Sequence, residues 1–207
     1  MITFTDVSIA FKNNPLIQHL TFTAEKGDKV LLYGKSGIGK TTVFRLILGF
    51  ERLQHGSICF NDQEMDSTTV WDIRKHVAYV SQDLDIGTGT VKTLLTKMLS
   101  YKANAHVRFD HDELTSLLHR FRLDESVLDD EYEKLSGGEK QRIVLISAVL
   151  LKRDIFLLDE ATSSLDRELK QMTIDFFATN RDWTVLSISH DQDWLNTPGL
   201  KIVKLGT

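Results

Sequence analysis

Lys29-Val30-Leu31-Leu32-Tyr33-Gly34-Lys35-Ser36-Gly37-Ile38-Gly39-Lys40-Thr41 passes from a short apolar run into a glycine-rich octapeptide. The apolar part reads as a buried strand, and Thr41 to Leu48 carries helical signal with Gly49 as its C-terminal stop. Between them, Gly34 to Thr41 fits the pattern G-x-x-x-x-G-K-[ST]. Glycines let successive backbone N–H groups point at phosphate oxygens with no Cβ in the way, and the following helix adds its positive N-terminal end. Lys40 then reaches the β- and γ-phosphates, and the Thr41 hydroxyl coordinates Mg²⁺. A chance match in a chain of this length is on the order of a 1% event. The nucleotide-binding set read from this stretch is Gly34, Lys35, Ser36, Gly37, Ile38, Gly39, Lys40, Thr41 and Thr42. No Asn-Lys-x-Asp guanine reader occurs, which counts against GTP.

Outward from this loop, the pattern is that of an α/β chain. Val7, Ile9 and Phe11 alternate, as do Leu20, Phe22 and Ala24, so antiparallel strands are expected at the front. Further strands are expected at 57–60, 77–80, 155–158, 184–188 and 201–205, with a helix over 166–178. Leu94, Leu95, Met98 and Leu99 repeat at helical spacing, and so do Leu114, Leu117, Leu118 and Phe121. The expected fold is therefore α/β, with a mostly parallel sheet, N-terminal antiparallel strands and an inserted helical subdomain over about 87–151. Residues 1–86 and 152–207 form the nucleotide-binding core of one domain, since 207 residues make roughly 1.4 domains of average size.

Composition limits the function classes. Hydrophobic residues at 42% and charged residues at 26% place the chain among globular proteins and away from disordered ones. A formal charge of −4 argues against nucleic acid as a partner, and Cys59 as the one cysteine fits a reducing cytosol. No secretory signal is visible at Met1 to Asp6. The longest apolar run, Ile143 to Leu151, is interrupted by Ser147 and falls far short of the ~20 residues of a membrane span.

Ile155-Phe156-Leu157-Leu158-Asp159-Glu160 is an apolar run ending in two acids, as suits a central parallel strand opening into a ligand site at its carboxyl end. Asp159 is the expected Mg²⁺ holder, and Glu160 the residue that polarises an attacking water.

Leu135-Ser136-Gly137-Gly138-Glu139-Lys140-Gln141-Arg142 narrows the class. Ser136 and Glu139 make an S-x-x-E capping box, and Gly137 and Gly138 leave the first N–H groups of that helix exposed, a second anion site in one chain. With the two motifs above, this segment resembles the ATP-binding subunit of ABC (ATP-binding cassette) transporters, of the small single-cassette bacterial type. The resemblance implies P-loop NTPase architecture, ATP and Mg²⁺ as ligands, and ATP hydrolysis. It implies a head-to-tail dimer, most simply a homodimer, in which Ser136, Gly137 and Gly138 clamp the γ-phosphate held by the other subunit. By the same resemblance Phe11 stacks on adenine, Gln82 senses Mg²⁺ and the γ-phosphate, and Ser163-Ser164-Leu165-Asp166 crosses the dimer interface with Asp166 near the nucleotide. His190 supports Glu160 at the γ-phosphate. A separate integral membrane subunit is the implied partner, with the chain peripheral at the inner face of the cell membrane. The region after Gln82, Asp83 to Thr90, lacks the aromatic common in transporter subunits. The alternative is a soluble ABC ATPase that uses the same switch mechanically, for example in cofactor assembly. A P-loop kinase leaves the Leu-Ser-Gly-Gly segment without a role.

Overall fold

The computed structural model describes residues 1–11, 14–190 and 192–206, the side chains of Phe11 and Asn14 aside. β1 (Ile2–Phe11) and β2 (Asn14–Ala24) pair antiparallel, and β4 (His55–Phe60) and β5 (Gln63–Glu64) extend them into a four-stranded sheet of order β2-β1-β4-β5. The second sheet is parallel, of order β6-β7-β8-β3-β9. It consists of β3 (Lys29–Tyr33), β6 (Val77–Val80), β7 (Ile155–Asp159), β8 (Thr184–Ile188) and β9 (Lys201–Lys204).

β7 explains how the parallel sheet is held. Its five residues are all buried, and alternate side chains enter different cores. Ile155 and Leu157 pack with α1 (Lys40–Ile47) and the antiparallel sheet, while Phe156 and Leu158 pack with the helices on the other face. Each such side chain contributes about 1.5–3 kcal/mol by leaving water. The continuous apolar run is thus a strand covered on both sides.

The interval 87–151 holds three α-helices: α3 (Val91–Ser100), α4 (His111–Arg120) and α5 (Gly137–Leu150). The acidic stretch before α5 folds into two 3-10 turns, 125–129 and 132–134, whose Val127, Leu128 and Tyr132 are buried while most of their charges face water. α5 shares one apolar cluster with α3, α4 and the sheet residues Leu31, Ala78 and Phe156. No break in the core therefore separates the helical region from the sheet. α6 (Arg167–Thr179) lies over the same face, where the Phe176, Phe177 and Trp183 rings touch one another and Phe156 touches Phe177 and Trp183. Among the described strands and α-helices, the two-residue β5 and the short helix α2 (Val70–His76) were not expected from the sequence.

Candidate active site

Four parallel strands end at one level. Leu32 and Asp159 both lie opposite Ile188, and Val80 lies opposite Leu158. The segments that leave β3, β6, β7 and β8 carry Gly34 to Thr41, Gln82, Glu160 and His190, so the sheet register brings the separate motifs to one edge. There they line a cleft of about 530 Å³ with Ser36, Gly37, Gly39, Lys40, Thr41, Thr42, Gln82, Asp159, Glu160 and His190 in its wall. A larger cavity of about 700 Å³ sits at the other end of the strands, around Lys29 and α6, and contains none of these motif residues.

The loop is built around two constraints. Gly39, the N-cap of α1, has φ +101, and a Cβ there would sit 3.0 Å from Leu16 and 3.1 Å from Ile17. Only glycine suits both the backbone and the space. The Lys40 side chain is buried at 7% exposure, and its Nζ donates to the carbonyls of Gly34 (2.8 Å) and Lys35 (3.0 Å). Those carbonyls hold the ammonium over the loop. Ile38 instead packs its side chain on the core around α1.

Asp159 is 1% exposed. Its Oδ2 accepts from Thr41 Oγ1 at 2.8 Å and from the Tyr79 phenol at 3.4 Å. Burial pushes the Asp159 carboxyl up from the ordinary carboxylate range, and the bonds from Thr41 and Tyr79 and the charge of Lys40 oppose that rise. Burial, reinforced by Asp159, pushes the Tyr79 phenol up to about 12, so it stands as a protonated donor at neutral pH. Glu160 has a left-handed backbone at φ +52, fixed by its N–H donating to Ile188 O at 2.9 Å. Its carboxylate lies 3.5 Å from His190 Nε2. Thr41, Asp159 and Gln82 offer a hydroxyl, a carboxylate and an amide oxygen, a hard donor set that fits Mg²⁺.

The capping box at the start of α5 is formed as its sequence indicates. Ser136 caps α5, with Glu139 N–H donating to Ser136 Oγ (3.3 Å) and Ser136 N–H donating to Glu139 Oε2 (2.9 Å). The Ser136 hydroxyl, donating to Glu139 Oε2 at 2.7 Å, and then the Ser136 N–H hold the Glu139 carboxyl below the usual range. Ser136, Gly137 and Gly138 do not line the cleft of their own chain. Gly138 instead abuts the interface-loop candidate, where a Cβ would lie 3.1 Å from Ser164 O. Asp166 also stands outside the cleft, its carboxylate accepting from Glu168 N–H (3.0 Å) and Leu169 N–H (2.9 Å) as the N-cap of α6. The Phe11 side chain lies outside the described residues. Leu16 and Ile188 line the cleft although neither was a candidate, and Ser163, expected at a dimer interface, lines it as well. Leu16 had no signal at all, whereas Ile188 adjoins the motif that ends β8.

Fold and cleft together define a P-loop NTPase. The fold is shared with the dimeric bacterial ABC transporter cassette MJ0796 (TM-score 0.80, 19% identity, 99% of this chain and 94% of that one). It is shared as well with a bacterial Atm1-family ABC exporter solved with ATP bound (TM-score 0.83, 24% identity, all of this chain and 38% of that one). The chain belongs to the ABC transporter family, whose model matches residues 17–163. It is 33% identical over 199 residues to the energy-coupling factor transporter ATP-binding protein EcfA1 of Geobacillus kaustophilus, covering 92% of this chain and 70% of EcfA1. It is 30% identical over 203 residues to the mitochondrial ATP-dependent permease MDL2 of Saccharomyces cerevisiae, spanning 92% of this chain but 26% of that protein.

Proposed function

We propose that this chain is the ATP-hydrolysing subunit of an ABC transporter, acting as a head-to-tail dimer beside a separate membrane-spanning partner at the inner face of the membrane. The observation that carries this reading is the split between the two anion sites. One cleft gathers Lys40, Thr41, Gln82, Asp159, Glu160 and His190, while the capped start of α5 stands outside it, available to a second copy's nucleotide. The name of EcfA1, a transporter ATP-binding protein, supports the separate partner. Among the described residues no helix is long and apolar enough to cross a membrane.

In this reading Lys40 and the loop N–H groups hold the β- and γ-phosphates of ATP. Thr41, Asp159 and Gln82 hold Mg²⁺, which when bound neutralises charge on the phosphate oxygens. Glu160 accepts a proton from the attacking water, and His190, 3.5 Å away, orients that carboxylate beside the γ-phosphate. Water adds to the γ-phosphorus as the bond to the ADP oxygen breaks, giving ADP and phosphate. Ser136, Gly137 and Gly138 offer hydroxyl and N–H groups to the partner subunit's γ-phosphate. Asp166, at the end of the loop next to Gly138, acts by placing that loop.

Glu160→Gln tests the reading. Purified in ATP from detergent-solubilised membranes, the variant is expected as an ATP-loaded dimer bound to a membrane protein, with hydrolysis at least about 100-fold down. Unchanged turnover removes Glu160 as the base. A monomer in saturating ATP refutes the shared site, and a partner that is always soluble favours the mechanical-switch alternative.

A further inference from the structure

We propose that Tyr79 is a positioning residue for the divalent cation, fixing which oxygen of Asp159 faces the cleft. The inference rests on the reading of Thr41 and Asp159 as Mg²⁺ holders. Both side-chain donors to Asp159 share one oxygen, Oδ2: Thr41 Oγ1 from α1 at 2.8 Å and Tyr79 OH from β6 at 3.4 Å. A carboxylate held by one donor can swing about its Cβ–Cγ bond. Held by two donors from different elements, it keeps Oδ2 toward the protein and turns Oδ1 to the cation or a cation-bound water.

Strand pairing puts the phenol there. Tyr79 lies opposite Leu157 in the parallel β6–β7 ladder, and Asp159 is two residues further along β7, so both side chains share a sheet face. The Tyr79 ring is braced edge-on by Phe44 of α1, at 6.2 Å and 83°, and Phe44 is fully buried. Tyr79 does not line the cleft. It acts through Asp159 and touches neither nucleotide nor water. At 3.4 Å the contact is longer than an ordinary O–H···O bond, which puts its effect at the low end of what outer-shell partners of metal ligands contribute.

Tyr79→Phe keeps the ring against Phe44 and removes only the hydroxyl. The thermal midpoint of wild type and variant is followed against Mg²⁺ concentration with ADP held in excess, so metal binding is read as stabilisation without turnover. The half-saturating Mg²⁺ concentration is expected to rise about 10-fold, with the midpoint in EDTA nearly unchanged. A lowered midpoint in EDTA with half-saturation within about twofold of wild type would mean packing alone, and overturns the proposal. Wild type that shows no Mg²⁺-dependent shift, or a Thr41→Ala variant that shifts like wild type, defeats the metal reading itself and the proposal with it.

Discussion

Lys40 is a charge kept inside the fold at a fixed place. Two carbonyls of its own loop accept from Nζ, and the residue lines the cleft. Charge-assisted bonds to phosphate are worth about 1.5–3 kcal/mol each. Lys40→Ala is therefore expected to weaken ATP binding about 10- to 100-fold in a calorimetric titration, and wild-type affinity would rule out the loop as the phosphate site. At this scale the sequence was informative wherever chemistry dictates residue identity. Lysine, threonine, paired acids and glycines at fixed spacing have few other uses. Tyr79 and Leu16 were not legible, because any residue of similar size satisfies the local pattern and only the neighbouring strand or loop gives them their contacts.

At the scale of elements, β1 shows how a local pattern can mislead. Ile2 and Phe4 are buried, and so are Val7 and Ile9, so the inward phase changes parity between residues 4 and 7. A bulge takes up the extra residue: the register with β2 and with β4 shifts there, and Asp6 has φ +53. His19 Nδ1 and His55 Nε2 lie 2.6 and 3.0 Å from the two Asp6 carboxylate oxygens and hold that carboxyl below its usual range. Gly56 of β4 makes room, with φ +84 and a hypothetical Cβ only 2.4 Å from the carbonyls of Thr5 and Asp6. Gly56→Ala combines backbone strain with a clash against carbonyl oxygens that cannot move independently. A loss of at least about 3 kcal/mol is expected in denaturant unfolding, and a loss under about 1 kcal/mol would show that the bulge relaxes. The antiparallel strands were legible from alternation, but the bulge was not, since a parity change in a strand looks like a strand end.

At the scale of the whole molecule, one chain carries the motif-lined cleft and, outside it, the capped start of α5 proposed to serve a second copy. Gly137 tests their separation without disturbing the fold. It is the first residue of α5, and an added Cβ would meet nothing nearer than the Ser164 side chain at 4.0 Å. An aspartate there suits the helix end but repels a phosphate brought by a second copy. Gly137→Asp is expected to keep ATP affinity within about twofold, to lose ATP-driven dimerisation in sedimentation, and to slow hydrolysis at least about 10-fold. A variant that dimerises and turns over like wild type would exclude the α5 start as the partner's anion site.

The sequence by itself determined the family, the phosphate loop, the β7 acids, the capped start of α5 and the α/β class with its mostly parallel sheet. Each depends on residues close together in the chain, where backbone freedom, hydrogen-bonding capacity and apolar period act locally. Only the tertiary structure decided that Leu32, Asp159 and Ile188 end at one level, that Thr41 and Tyr79 meet on a single oxygen of Asp159, and that Gly138 rests against Ser164 outside the cleft. These contacts join residues far apart in the chain. They follow from sheet order and register, which the packing of both faces of β7 fixes and no local segment encodes.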